Sequence, residues 1–146
     1  MRNARISILV KRSSLVFDKL SNQLLTPYGL TGSQFKILMV LYKSPACSVR
    51  QADLEAKFSM TNPTVTGLVQ KLEEKNLVRR MPHPADKRSR ILVLTQLALA
   101  KKDELLALAD ALEQQLTENL SPREGAQLAA LLEKMLGISE GGKHYD

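Results

Sequence analysis

From Thr61 to Lys75 the chain reads TNPTVTGLVQKLEEK, and its polar positions Thr64, Thr66, Gln70 and Lys71 offer hydroxyls, an amide and a cation. No carboxylate interrupts them before Glu73. Side chains of this kind suit a DNA major groove, where hydroxyls and amides address base edges while Lys and a helix N-terminus meet phosphate. The scaffold is a helix. Thr61 is placed to cap it, and Pro63 falls in the first turn, where a missing N–H does no harm. Val65, Leu68, Val69 and Leu72 recur at three- and four-residue spacing as one buried stripe. Taken alone, the pattern also describes an ordinary amphipathic surface helix.

The flanking segments favour the first reading. Leu77–Met81 and Arg90–Leu94 read as two strands, with Asn76 able to take the left-handed conformation that ends the helix. Between them, Pro82-His83-Pro84-Ala85-Asp86-Lys87-Arg88-Ser89 is a turn-rich tip, so Lys87, Arg88 and Arg90 lie at or near it. Arg79 and Arg80 alternate across the first strand, so one can face phosphate while the other meets solvent or a Glu on a neighbouring helix. Upstream, Ser48 and Gln51 read as a capping box opening a short helix with Ala52, Leu54 and Phe58. Ser59-Met60-Thr61 then turns the chain. Two short helices and a tight turn make a helix-turn-helix at about residues 51–74, and the basic hairpin makes it a winged helix. Ser48, Arg50 and Gln51, at a helix start, are further candidates to hold phosphates.

Around this lobe, at about 30–95, the chain is helical. Residues 5–25 carry a helical apolar pattern ended by Thr26-Pro27-Tyr28-Gly29. Thr31 and Gln34 form a capping box for a second helix, apolar on all sides and therefore central. Residues 95–119 read as one long helix with Leu105, Leu108, Leu112 and Leu116 in register. Ser121-Pro122-Arg123-Glu124 starts the last one. The fold class expected is mainly α with a small β-hairpin wing, in one domain spanning 1–146. Segments 1–28 and 96–136 supply dimerisation helices, and 137–146 a flexible tail. The leucine-rich stripes of those outer helices either complete a monomer core or interlock with a second copy. Two-fold symmetry would let one chain read two half-sites about 34 Å apart.

The 146 residues suffice for a hydrophobic core, with 44% apolar and 25% charged side chains. Net charge is +6, unevenly spread: residues 57–90 hold eight basic and three acidic side chains, residues 96–146 five and nine. Basic charge gathered on the helix and wing points to a polyanion partner. The single cysteine, Cys47, excludes an internal disulfide, and no apolar run is long enough for a signal peptide or a membrane span, so a cytoplasmic protein is expected. There is no Gly-rich phosphate loop, nucleophile–base pair or apolar carboxylate pair, which argues against an enzyme and against a cofactor. His83 and His144 have no metal-ligand spacing to Cys47 or to each other, so no metal site is expected.

Residues 31–95 resemble the MarR family of bacterial transcription regulators, in LTGSQFKILMVL, in FSMTNPTVTGLVQKLEEKNLVRR and most specifically in DKRSRILVLT at Asp86–Thr95. The helix layout outside them agrees. The resemblance implies a dimeric winged-helix protein bound to a pseudo-palindromic operator in double-stranded DNA. It implies a repressor, released by a small hydrophobic or phenolic ligand or by cysteine oxidation. It places Thr61, Asn62, Thr64, Thr66 and Gln70 on the reading face, Asp86 as the carboxylate that orients the wing, and Arg88 in the minor groove. Gly67 stands where many members have Arg, and Gln96-Leu97-Ala98 where many have a Gly. A ligand pocket between dimer helices and DNA-binding lobe would draw on Phe17, Leu20, Tyr28, Phe35 and Leu38, which otherwise are simply core. Redox-sensing members carry their cysteine in the N-terminal helix, where this chain has none. Cys47 itself reads as a small apolar filler. The competing function is a winged helix for protein contact, or a weakly specific chromosome-associated protein.

Overall fold

The computed structural model describes residues 2–138. Helix α1 (Arg2–Leu25) runs into a single 3-10 turn (Thr26–Tyr28), closed by Gly29 at a φ of 66°. A residue with a Cβ resists that left-handed conformation, and glycine does not. Helix α2 (Gly32–Lys43) opens on the expected capping box, with Thr31 Oγ1 accepting the Gln34 N–H and Gln34 Oε1 accepting the Thr31 N–H, both at 3.2 Å. Residues 37–42 are buried without interruption, so α2 is the central helix of the lobe.

Helices α3 (Gln51–Phe58) and α4 (Asn62–Glu74) follow, joined through Ser59 in the left-handed region. The capping box expected of Ser48 and Gln51 does not form. Ser48 Oγ donates instead to the Pro45 carbonyl at 2.6 Å, and Arg50 is the N-cap, its N–H held by Asp53 Oδ2 at 2.8 Å. The physical reason is long-range. The Leu92 N–H donates to the Val49 carbonyl at 2.9 Å, and Arg50 bridges to Ile91, which keeps residues 49–50 extended and postpones the helix.

Strands β1 (Val78–Pro82) and β2 (Arg90–Leu94) pair antiparallel, from Val78 opposite Leu94 to Pro82 opposite Arg90. Asn76 takes the expected left-handed φ, 59°. Beyond β2 the single helix expected over 95–119 is divided into α5 (Gln96–Ala100) and α6 (Lys102–Leu116). Buried Thr95 caps α5 by accepting the Ala98 N–H at 3.1 Å and donates to the Asn76 carbonyl at 2.7 Å. The buried Tyr42 hydroxyl donates to the Ala98 carbonyl at 2.5 Å, the acceptor that an unbroken helix would offer Lys102. A side chain inserted into the helical ladder is a recognised cause of a break. Helix α7 (Pro122–Leu136) starts on the expected Ser121–Glu124 box.

The core joins Ile37 and Leu38 of α2, Leu54 of α3, Val65, Val69 and Leu72 of α4, Val78 and Leu92 of the hairpin and Leu105 of α6. The outer helices differ. α7 buries none of its side chains, and Ile6, Ile8 and Leu15 on α1 and Leu131, Met135 and Leu136 on α7 are exposed. Among the described residues no helix is long and apolar enough to cross a membrane. Positions 139–146 of the expected tail, His144 included, lie outside the described residues.

Tyr42→Phe removes one buried hydrogen bond and little volume. We expect a loss of about 1–2 kcal/mol in urea unfolding and faster amide exchange around Ala98–Lys102. Unchanged exchange there would show that the hydroxyl does not hold the junction.

Candidate nucleic-acid interface

Val65, Val69 and Leu72 are fully buried, which turns the rest of α4 outward. Thr61, Asn62, Thr64, Gly67, Gln70 and Lys71 are exposed. Thr61 Oγ1 caps the helix by accepting the Thr64 N–H at 3.4 Å, and the two threonine hydroxyls lie 2.9 Å apart. No acidic side chain occupies the first turn, so the positive end of the helix dipole is left for an outside anion. Lys71 lies 3.5 Å from Glu74, but both side chains are more than half exposed, and such a pair adds little.

One residue expected to hold phosphate, Gln51, and one expected on the reading face, Thr66, bond to each other. Gln51 is 8% exposed, and its Nε2 donates to Thr66 Oγ1 at 2.7 Å, fastening α3 to α4. That bond engages the Gln51 amide N–H and one lone pair of the Thr66 hydroxyl, whose own proton stays available to a ligand. Their fifteen-residue separation leaves no local sign of the bond. Asn62 Nδ2 also reaches Glu55 Oε2, at 3.3 Å, and stays exposed.

The wing is shaped by Asp86. Its Oδ1 accepts the Arg88 N–H at 3.0 Å, its Oδ2 accepts the Ser89 hydroxyl at 3.1 Å, and its carbonyl accepts the Ser89 N–H at 3.0 Å. These bonds, the Arg88 N–H first, hold its carboxyl below the usual aspartate range, with nearby His83 and Arg50 adding to the effect. His83 lies in the tip, where its Nδ1 accepts the Ala85 N–H at 3.0 Å. Lys87, Arg88 and Arg90 are exposed, and none has an ion-pair partner among the described residues. Arg80 does have one. Its Nε sits 2.8 Å from Glu73 Oε1 and ties the wing root to α4, while Arg79 is exposed. Arg50 and Ser48 are exposed beside β2, with Arg50 only loosely paired to Asp53 at 3.8 Å.

The five residues expected of a ligand pocket line neither of two cavities formed by the described residues. Leu38 is fully buried core, Tyr28 and Phe35 pack against that core, and Phe17 is 39% exposed on α1. One cavity, about 600 Å³, is an open groove between Ile6 and Val10 of α1 and Met135 of α7. The other, about 260 Å³, lies between Leu41, Val49, Leu92, Leu99 and Cys47. Cys47, read from the sequence as a small apolar filler, is exposed, at a φ of 60°.

Two outcomes follow. A Cβ at Gly67 would meet nothing within 4 Å, so Gly67→Ala should stabilise the protein by up to about 1 kcal/mol through helix propensity, read by thermal or urea melting. The order that Asp86 imposes on the tip should persist above the ordinary aspartate pKa of about 3.9 and disappear as pH falls through its lower folded value. The Arg88 amide resonance reports this: a midpoint at or above the ordinary value would remove the assignment.

The MarR family model matches residues 30–89. The multiple antibiotic resistance protein MarR of Escherichia coli is 35% identical over 121 residues, 82% of either chain. A cysteine-to-serine mutant of that protein, solved with operator DNA, has a TM-score of 0.79 at 30% identity, covering 90% of this chain and 94% of that one. BpsR of Bordetella bronchiseptica, whose DNA binding is regulated by 6-hydroxynicotinic acid, has 0.77 at 26%, covering 90% and 98%. The likeness runs through the winged helix and the outer helices alike, and the chain belongs to the MarR family.

Proposed function

We propose that the protein is a sequence-specific, DNA-binding transcription regulator of the cytoplasm, a homodimeric repressor relieved by a small hydrophobic or phenolic ligand. The observation that carries this reading is the pairing of an exposed hydroxyl- and amide-bearing face on α4 with a wing tip whose cations have no ion-pair partner among the described residues. Thr61, Asn62, Thr64, Gln70 and Lys71 address the major groove. Arg88, with Lys87 and Arg90, grips the minor groove or backbone, and Arg50 and Ser48 contact phosphates beside the wing root. No covalent step is involved, and no residue is assigned a catalytic role.

The exposed apolar side chains of α1 and α7 support the dimer, since a second copy would cover them. Occupying an operator within a promoter excludes polymerase, which is repression by competition. A ligand seated near the outer helices relieves it only to the extent that it binds the released state more tightly. BpsR, regulated by a small aromatic acid, is the relative that supports this part.

The test selects duplexes from a random pool with the full-length protein, then measures binding at about 0.15 M salt against excess competitor. Tight binding of two chains per selected duplex is expected. Weak binding indifferent to sequence would overturn the reading in favour of a chromosome-associated or protein-contact role. On the selected duplex, Arg88→Ala should weaken binding about tenfold or more and lower the salt slope by about one, with an unchanged melting temperature. Undiminished affinity in that variant would remove the wing from the interface.

A further inference from the structure

Two adjacent residues in the turn after α1 hold two separate parts of the fold. The Tyr28 hydroxyl donates to Glu104 Oε1 on α6 at 2.7 Å. The next carbonyl, that of Gly29, accepts a hydrogen bond from Lys75 Nζ, at the C-terminal end of α4. α4 otherwise packs on α2, α3 and β1, whereas α6 packs on α1 and α5. The turn thus joins the reading helix to the layer of outer helices. Tyr28, counted from sequence among pocket residues, has its polar end committed to this join.

We propose that Tyr28, Glu104 and Lys75 are positioning residues that set the tilt of α4 against α1 and α6, and thereby the half-site spacing the dimer accepts. This inference rests on the reading of the protein as a two-fold dimer on DNA. The lever is favourable. Thirteen helical residues span about 20 Å, so a swing of about 10° about the C-terminal end moves the N-terminal end by about 3.4 Å, one base-pair step. The Lys75 bond acts at that C-terminal end, while Thr61, Asn62 and Thr64 ride the moving end. Both bonds are exposed, so losing one leaves the core intact. Their contribution is angular, and affinity for duplexes of different spacing reads it.

The probes are the duplex selected by the wild-type protein and versions with one base pair added or removed between half-sites. The wild type should lose about tenfold or more on either altered duplex. Tyr28→Phe and Lys75→Met should bind the original duplex about two- to tenfold more weakly and discriminate less between spacings. Glu104→Gln keeps a carbonyl acceptor for the tyrosine and should discriminate as the wild type does. A ratio between original and altered duplexes that is the same in all variants would overturn the proposal, since a merely structural role weakens every duplex alike.

A second measurement needs no DNA. Spin labels at Gly67→Cys, in a Cys47→Ser background, should give a narrow distance distribution between the two copies that broadens with Tyr28→Phe. An unchanged narrow distribution would overturn this inference alone. No distance between copies at all would remove the dimer and the inference with it.

Discussion

Burial of three residues fixes what the rest of the reading helix can do. Val65, Val69 and Leu72 lie on one stripe of α4 and are inaccessible to solvent. Burying each contributes about 1.5–3 kcal/mol, far more than any exposed polar contact of the same helix. The stripe therefore dictates the rotation of α4 about its axis. With a period of 3.6 residues, that rotation leaves Thr61, Thr64, Gln70 and Lys71 outside by geometry. A functional face obtained this way needs no stabilising contacts of its own. Gln51 and Thr66 supply a further constraint, on the angle between α3 and α4, through one part-buried bond.

Charge is divided along the same line. Where a cation of the hairpin turns inward, it has a partner: Arg80, with Glu73 at 2.8 Å, both about one-third exposed. Where cations turn outward, at Lys87, Arg88 and Arg90, no carboxylate among the described residues neutralises them. The one acid in that tip, Asp86, spends both oxygens on Arg88 N–H and Ser89 hydroxyl and shapes the loop instead of neutralising its cations. Three like charges left together disfavour the isolated protein slightly and favour any complex with a polyanion. A stability criterion alone would not produce that arrangement.

The parts legible in the sequence are those decided within a few residues. Thr31 with Gln34 and Ser121 with Glu124 cap helices as their spacing implies, and Asn76 takes the left-handed turn before β1. The hairpin, the helix-turn-helix and the fold class follow from such signals together with apolar period. What escaped the sequence was decided by contacts across the chain. Ser48 lost its capping role because Val49 and Arg50 are drawn to β2, more than forty positions on. The helix after Thr95 breaks where Tyr42, 56 residues earlier, donates to the Ala98 carbonyl, which also accepts the Lys101 N–H. The apolar positions Phe17, Leu20, Tyr28, Phe35 and Leu38 illustrate a different limit. Apolar type marks a residue for the interior, but whether it meets a void or another side chain depends on packing that no spacing encodes.

The outer helices α1 and α7 carry apolar surface that the rest of the fold leaves uncovered. Apolar side chains on α1 and α7 are left in water while the α2–β2 lobe has a closed core. A second copy covering those faces would be held by the outer helices, and DNA would be read by α4 and the wing. Any signal between the two must then cross from α1 and α6 to α4. α2 offers one route through close packing, which resists small displacements. The turn at Tyr28 and Gly29 offers another, made of exposed hydrogen bonds that cost little to rearrange. A rigid route transmits position and a soft one admits adjustment. In the proposed dimer, the soft route lies beside the C-terminal end of α4, where a small change in bonding acts through the whole length of the helix.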